Sequence, residues 1–108
     1  MIRKKEEQEE LKLTFLNELW QRKEDLETLS EDKKNDKSIL FRPSLVLKSI
    51  AEVIEESTDE QKQLIQMYYE MHYGYVDIAD ELYTKVSRVK KLHQRILHKF
   101  GEKIGFVL

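Results

Sequence analysis

The chain has 108 residues, 40% hydrophobic and 37% charged, with three glycines, one proline and no cysteine. That length holds one domain with an arm; so few turn formers exclude sandwiches, barrels and glycine-rich phosphate loops, and the lack of cysteine excludes disulfides, thiolate zinc sites and cysteine nucleophiles. The net charge of -2 averages unlike parts: residues 1–70 hold 12 Lys and Arg against 17 Asp and Glu, whereas residues 84–103 hold seven cations against Glu102 alone.

What remains is an all-α protein with a modest core. No apolar run approaches the roughly 18 residues of a membrane span, and the charged start Met1 to Glu10 is no signal peptide. A soluble, cytoplasmic protein with no membrane partner is expected. The first predicted helix covers about Ile2 to Leu29, rich in Glu, Lys, Leu and Gln. Its best heptad frame sets Lys5, Lys12, Leu19 and Leu26 on one seam and Gln8, Phe15, Arg22 and Leu29 on the other. Half of those positions are polar, too many for a coiled coil. An amphipathic helix against its own domain or a partner subunit fits better. Ser30 to Ser38 is wholly polar and reads as a solvated loop.

After Ile39, Leu40 and Phe41 a second helix starts at Pro43 or Ser44, since proline suits a first turn. Leu47, Ile50, Val53 and Ile54 give it one apolar stripe, and it stops near Glu56. Thr58 with Gln61 three residues on is a capping box that opens a third helix carrying Leu64, Ile65, Tyr68, Tyr69 and Met71. Gly74 interrupts it. A short fourth helix, Tyr75 to Leu82, buries Ile78, Ala79 and Leu82 and exposes Asp77, Asp80 and Glu81. A tight turn at Tyr83-Thr84 leads to a long fifth helix, Lys85 to Ile104, with Gly105 as its positive-φ cap. The chain divides into an arm and linker at 1–38 and a helical domain at 39–108.

At roughly 100° per residue the fifth helix has two faces. Val89, Leu92, Ile96, Phe100 and Ile104 form a core stripe. Ser87, Lys91, Gln94, Arg95 and His98 fall opposite, with Arg88 and Lys90 on the flanks. A helix that only needed solubility would mix both signs. A short helix, a tight turn and a longer basic helix make a helix-turn-helix frame at about 75–104, whose second helix enters the major groove of double-stranded DNA.

The runs Leu64 to Tyr69 and Tyr75-Val76-Asp77-Ile78-Ala79-Asp80-Glu81-Leu82 resemble sigma-factor region 4. The continuation Val89-Lys90-Lys91-Leu92 and Ile96-Leu97-His98-Lys99-Phe100-Gly101-Glu102 is similar to phage-encoded transcriptional regulators of the ArpU and RinA type. The resemblance covers about 58–105. It implies sequence-specific duplex binding and control of phage late genes, with RNA polymerase as a further partner. By position it assigns Lys85, Ser87, Arg88, Lys90 and Lys91 to the start of the recognition helix, and Gln94, Arg95 and His98 follow on the same face. The turn departs from the family, which has a small residue where Tyr83 stands and an apolar residue then Ser or Thr at Thr84 and Lys85. Two registers stay open, one ungapped and one slid by two residues with Ser87 as the cap.

Other features read as structure. Helical spacing sets Tyr68, Tyr69, Tyr73, Tyr75 and Tyr83 in core or rim packing rather than base stacking, with Tyr73 the one nearest a phosphate. His93 leans to the core flank as a satisfied residue, and His72 sits in a turn. His93 and His98, five apart, share no face as a metal pair would, so no metal and no cofactor are expected. Glu55-Glu56 and Glu9-Glu10 read as solvated charge, and no motif favours an enzyme. Trp20 packs against the second or fifth helix, or else joins Phe15, Leu16, Leu19 and Leu26 in a homodimer interface that paired half-sites require. The tail Phe106 to Leu108 folds on the core or joins that interface. Two other functions fit the same residues: a small terminase-like DNA-packaging subunit, and an adaptor that docks on RNA polymerase as a sigma region does.

Overall fold

The computed structural model describes residues 2–32 and 43–105; residues 33–42, which hold most of the predicted loop, and the tail at 106–108, on which expectations were placed, lie outside them. The chain is all-α, and no strand occurs among the described residues. In order come α1 (Ile2–Gln21), α2 (Lys23–Asp32), α3 (Pro43–Glu56), α4 (Asp59–Ile65), a π-helical turn (Gln66–Glu70), α5 (Tyr75–Glu81) and α6 (Val86–Ile104). No described helix is long and apolar enough to cross a membrane.

Local chemistry sets most boundaries where the spacing predicts them. Pro43 opens α3. The Thr58 hydroxyl accepts from the Gln61 amide at 3.2 Å while the Gln61 side chain accepts from the Thr58 amide at 3.0 Å, a closed capping box. Gly105 ends α6 at φ 76°, in the left-handed region where a Cβ is costly.

Three places differ from the pattern. The predicted first helix is interrupted at Arg22, and its second piece runs on through Ser30 to Asp32, where a loop was expected. Trp20 and Leu26 lie six residues apart, about 240° around a straight helix. The interruption at Arg22 falls between them, and both reach the core. The third difference is the π-helical turn, closed by the Met71 amide on the Gln66 carbonyl at 3.0 Å. With its extra residue per turn, Met67 is buried and Met71 is left 49% exposed.

The core is one cluster with α6 at its centre, touching α1, α3, α4 and α5. Val89, Leu92, Ile96, Phe100 and Ile104 are buried as the wheel requires, joined by His93 and Leu97. Helix α1 lies close on α6: a Cβ built on Gly101 would fall 3.0 Å from Leu16 Cδ1. Gly101→Leu is therefore expected to overpack this crossing and lower stability by about 2 kcal/mol. Urea denaturation measures it, and an unchanged midpoint would refute the close crossing.

Candidate nucleic-acid interface

Helix α5 begins after Gly74 with no side-chain cap, and its Ile78 and Ala79 are buried. It ends in a Schellman motif: the Thr84 amide reaches the Ala79 carbonyl at 2.9 Å and the Tyr83 amide reaches the Asp80 carbonyl at 3.3 Å. The left-handed residue that closes this motif is Tyr83, at φ 55°. Helix α6 then starts with Lys85 as its N-cap residue and no side-chain cap. Helix α6 thus opens directly after Lys85, and Ser87 lies inside it rather than capping it. Thr84, in the turn, is partly buried.

Of the residues expected to meet DNA, Lys85, Ser87, Arg88, Lys90, Lys91, Gln94 and Arg95 are all exposed, and His98 is half-buried. They do not act as one set. The Arg88 guanidinium clasps Glu60 of α4 through two contacts of 2.7 Å, which holds the Glu60 carboxyl below its usual range and raises the guanidinium further. His98 Nε2 lies 2.8 Å from Glu9 of α1. Lys99 reaches Glu56 of α3 at 3.7 Å, and Lys103 pairs with that same Glu56 and with Glu52 at 3.5 Å. The hydrogen bond from Lys103 lowers the Glu56 carboxyl.

On α6 and its N-cap, four cations have no ion pair among the described residues: Lys85, Lys90, Lys91 and Arg95. With Ser87 and Gln94 they form an open face at the first turns of α6. Glu56, read from sequence as solvated charge, is instead paired with Lys99 and Lys103, and Glu9, read the same way, lies against the His98 ring. One signal was available in the sequence, acids four apart at Glu52 and Glu56 against cations four apart at Lys99 and Lys103, but nothing local says that those two edges meet.

The opposite side of α6 rests on a polar network inside the core. Tyr69 donates its hydroxyl proton to Asn17 Oδ1 at 2.5 Å, so it accepts from His93 Nε2 at 2.6 Å. His93 Nδ1 then carries no proton and accepts from the Tyr75 hydroxyl at 2.6 Å. Asn17 Nδ2 donates in turn to the Tyr68 hydroxyl at 3.0 Å. Burial pushes His93 down to about 4 and keeps it neutral; burial, then the neighbouring Tyr68, pushes Tyr75 up to about 12. His93 is the satisfied core histidine the wheel suggests, and the network fixes α6 against α5 and α1.

Tyr68, Tyr69 and Tyr75 are half-buried around the His93 ring, as the spacing predicts. Tyr83 is not: it is 96% exposed, and Tyr73 stands at the margin of exposure. Trp20 packs on Phe100 of α6, the predicted fifth helix, edge to face at 5.2 Å, and stacks on Tyr69 at 5.1 Å. Leu16, Trp20 and Leu26, named for a subunit interface, are buried in the chain's own core, with Phe15 and Leu19 half-buried against it. A cavity of about 450 Å³ opens beside Trp20, lined also by Ile54, Ile65, Tyr69 and His72. No group of three or more metal-ligating side chains gathers among the described residues.

Residues 53–100, from Val53 of α3 to Phe100 of α6, match the family model of Sigma-70, region 4. Region 4 is a helix-turn-helix module, and its match supports a DNA-binding regulatory role for this stretch rather than a catalytic one. No curated protein and no solved structure matches the chain.

Proposed function

We propose, from the region 4 match and the open cations of α6, that the chain is a sequence-specific regulator of transcription that binds duplex DNA. The observation that carries this reading is the sorting of charge on α6. Lys85, Lys90, Lys91 and Arg95 stay free at the end that a helix-turn-helix puts into the major groove, while the far cations are neutralised by α3. The free cations neutralise phosphates, and Ser87, Gln94 and Arg95 offer groups that read base edges. Arg88 and His98 meet DNA only on release from Glu60 and Glu9. Two copies on paired half-sites suit such a regulator, RNA polymerase is its second partner, and control of phage late genes follows from the resemblance of Val89 to Glu102 to ArpU and RinA regulators.

Duplex binding is expected to weaken steeply with salt. Lys91→Ala should lower affinity about tenfold and reduce the slope of log affinity against log salt by about 1, uniformly across sequences. Lys103→Ala, which removes a cation already held by Glu56 and Glu52, should leave that slope unchanged. A mobility-shift series at several salt concentrations decides. Binding by the unaltered chain that ignores salt, or equal slopes for the two variants, would refute the reading.

A further inference from the structure

We propose that Tyr83 is a backbone contact for duplex DNA, its ring against a deoxyribose and its hydroxyl donating to a phosphate oxygen. The inference rests on the DNA-binding reading above. Tyr83 closes the Schellman motif of α5 at φ 55°, a conformation that glycine adopts freely and that a residue with a Cβ adopts at a cost. Its side chain is 96% exposed and has no ring contact or hydrogen bond among the described residues. The fold gains nothing from this ring and bears both backbone strain and a large aromatic surface in water. Glycine at this position would stabilise the same turn, so the tyrosine is explained by something outside the chain.

The surroundings favour a polyanion. Tyr83 stands two residues before Lys85, the first of the four unpaired cations, in the turn that leads into the exposed face of α6. A duplex that places its groove on Ser87, Gln94 and Arg95 brings its sugar–phosphate edge to the start of that helix. A tyrosine there supplies an apolar plane for the sugar and a neutral donor for a phosphate oxygen, and it carries no sequence information. The acids Asp77, Asp80 and Glu81 belong to α5, before the left-handed residue, and no cation pairs with them among the described residues. A docked protein is the rival occupant for the ring.

The test uses the full chain, Tyr83→Gly and Tyr83→Phe, each melted and each titrated against one mixed-sequence duplex at several salt concentrations. Tyr83→Gly is expected to melt roughly 4 °C higher through release of the strain, yet bind about tenfold weaker. Its salt slope should equal that of the unaltered chain, because a neutral donor releases no counterion. Tyr83→Phe should fall between the two in affinity; affinity equal to the unaltered chain would overturn the hydroxyl donation. Tyr83→Gly binding within about twofold of the unaltered chain overturns the proposal and gives the ring to a protein surface. If the unaltered chain itself shows no salt-dependent binding, the DNA reading fails and the Tyr83 contact falls with it.

Discussion

Trp20→Ala is expected to lower the stability of the whole chain by about 3–5 kcal/mol, a large share of the roughly 5–15 kcal/mol that holds a domain of this size. The residue is 2% exposed although it belongs to the helix with the weakest apolar pattern. Its indole stacks on Tyr69 and meets the edge of Phe100, so truncation empties a site bordered by the π-helical turn and by α6. The adjoining cavity would widen rather than close, which sets the cost near the upper part of the range. Circular dichroism followed through a urea titration measures this, since the variant lacks the only tryptophan. If α1 were an arm fixed only to a partner, the transition of residues 43–105 would not move. An unchanged midpoint would therefore sink the single core drawn above.

Acidification should weaken the fold well before the carboxylates titrate. An unfolded histidine holds its proton below about 6.5, whereas His93 in the folded chain takes one only near 4 because burial disfavours the cation. Between those values the unfolded chain binds a proton that the folded chain does not. Stability is therefore full above pH 6.5 and falls as pH drops, by about 2 kcal/mol between pH 7 and 5 and about 3 kcal/mol in all by pH 4. Geometry supports the direction. Nδ1, the nitrogen that would be protonated, already accepts from Tyr75, and the hydroxyls around the ring supply no negative charge. Glu56 and Glu60, both lowered by their cationic partners, lose their contribution only below about 4.5, under the histidine window. Denaturation at pH 7, 6, 5 and 4.5 reads the loss. His93→Gln should flatten the profile from pH 6.5 to 4.5 while lowering the plateau; a slope that survives in that variant would refute the assignment to His93.

Much of the fold was legible because it is written in local terms. Pro43, the pair Thr58 and Gln61, Gly105 and the stripe from Val89 to Ile104 each fix a boundary or a face within a few residues. The interruption at Arg22 and the π-helical turn were not legible. Both resolve a conflict between a helix's period and the places its apolar residues must reach, and only the packed partner sets those places. The same holds for Leu16, Trp20 and Leu26: an apolar stripe on a weak helix does not say which surface covers it. His93 could be placed toward the core from its wheel position, yet its partners come from Asn17, Tyr69 and Tyr75, distant in sequence. The candidate site was legible as a list of cations and not as a pattern of availability. The Arg88–Glu60 clasp spans 28 positions, and no spacing rule reaches that far.

That pattern of availability affects encounter before any contact forms. A helix charged evenly around its axis would draw a polyanion equally from every side. On α6 the flank toward α3 is cancelled by Glu52 and Glu56, and Glu60 cancels Arg88, while Lys85, Lys90, Lys91 and Arg95 stay bare. The chain therefore carries a transverse dipole, acidic behind and cationic in front. A polyanion within about a Debye length, roughly 8 Å at physiological salt, exerts a torque as well as a pull and turns the open face toward itself. The acids of a chain with net charge -2 thus contribute to orientation, since without them α6 would attract as strongly from its wrong side.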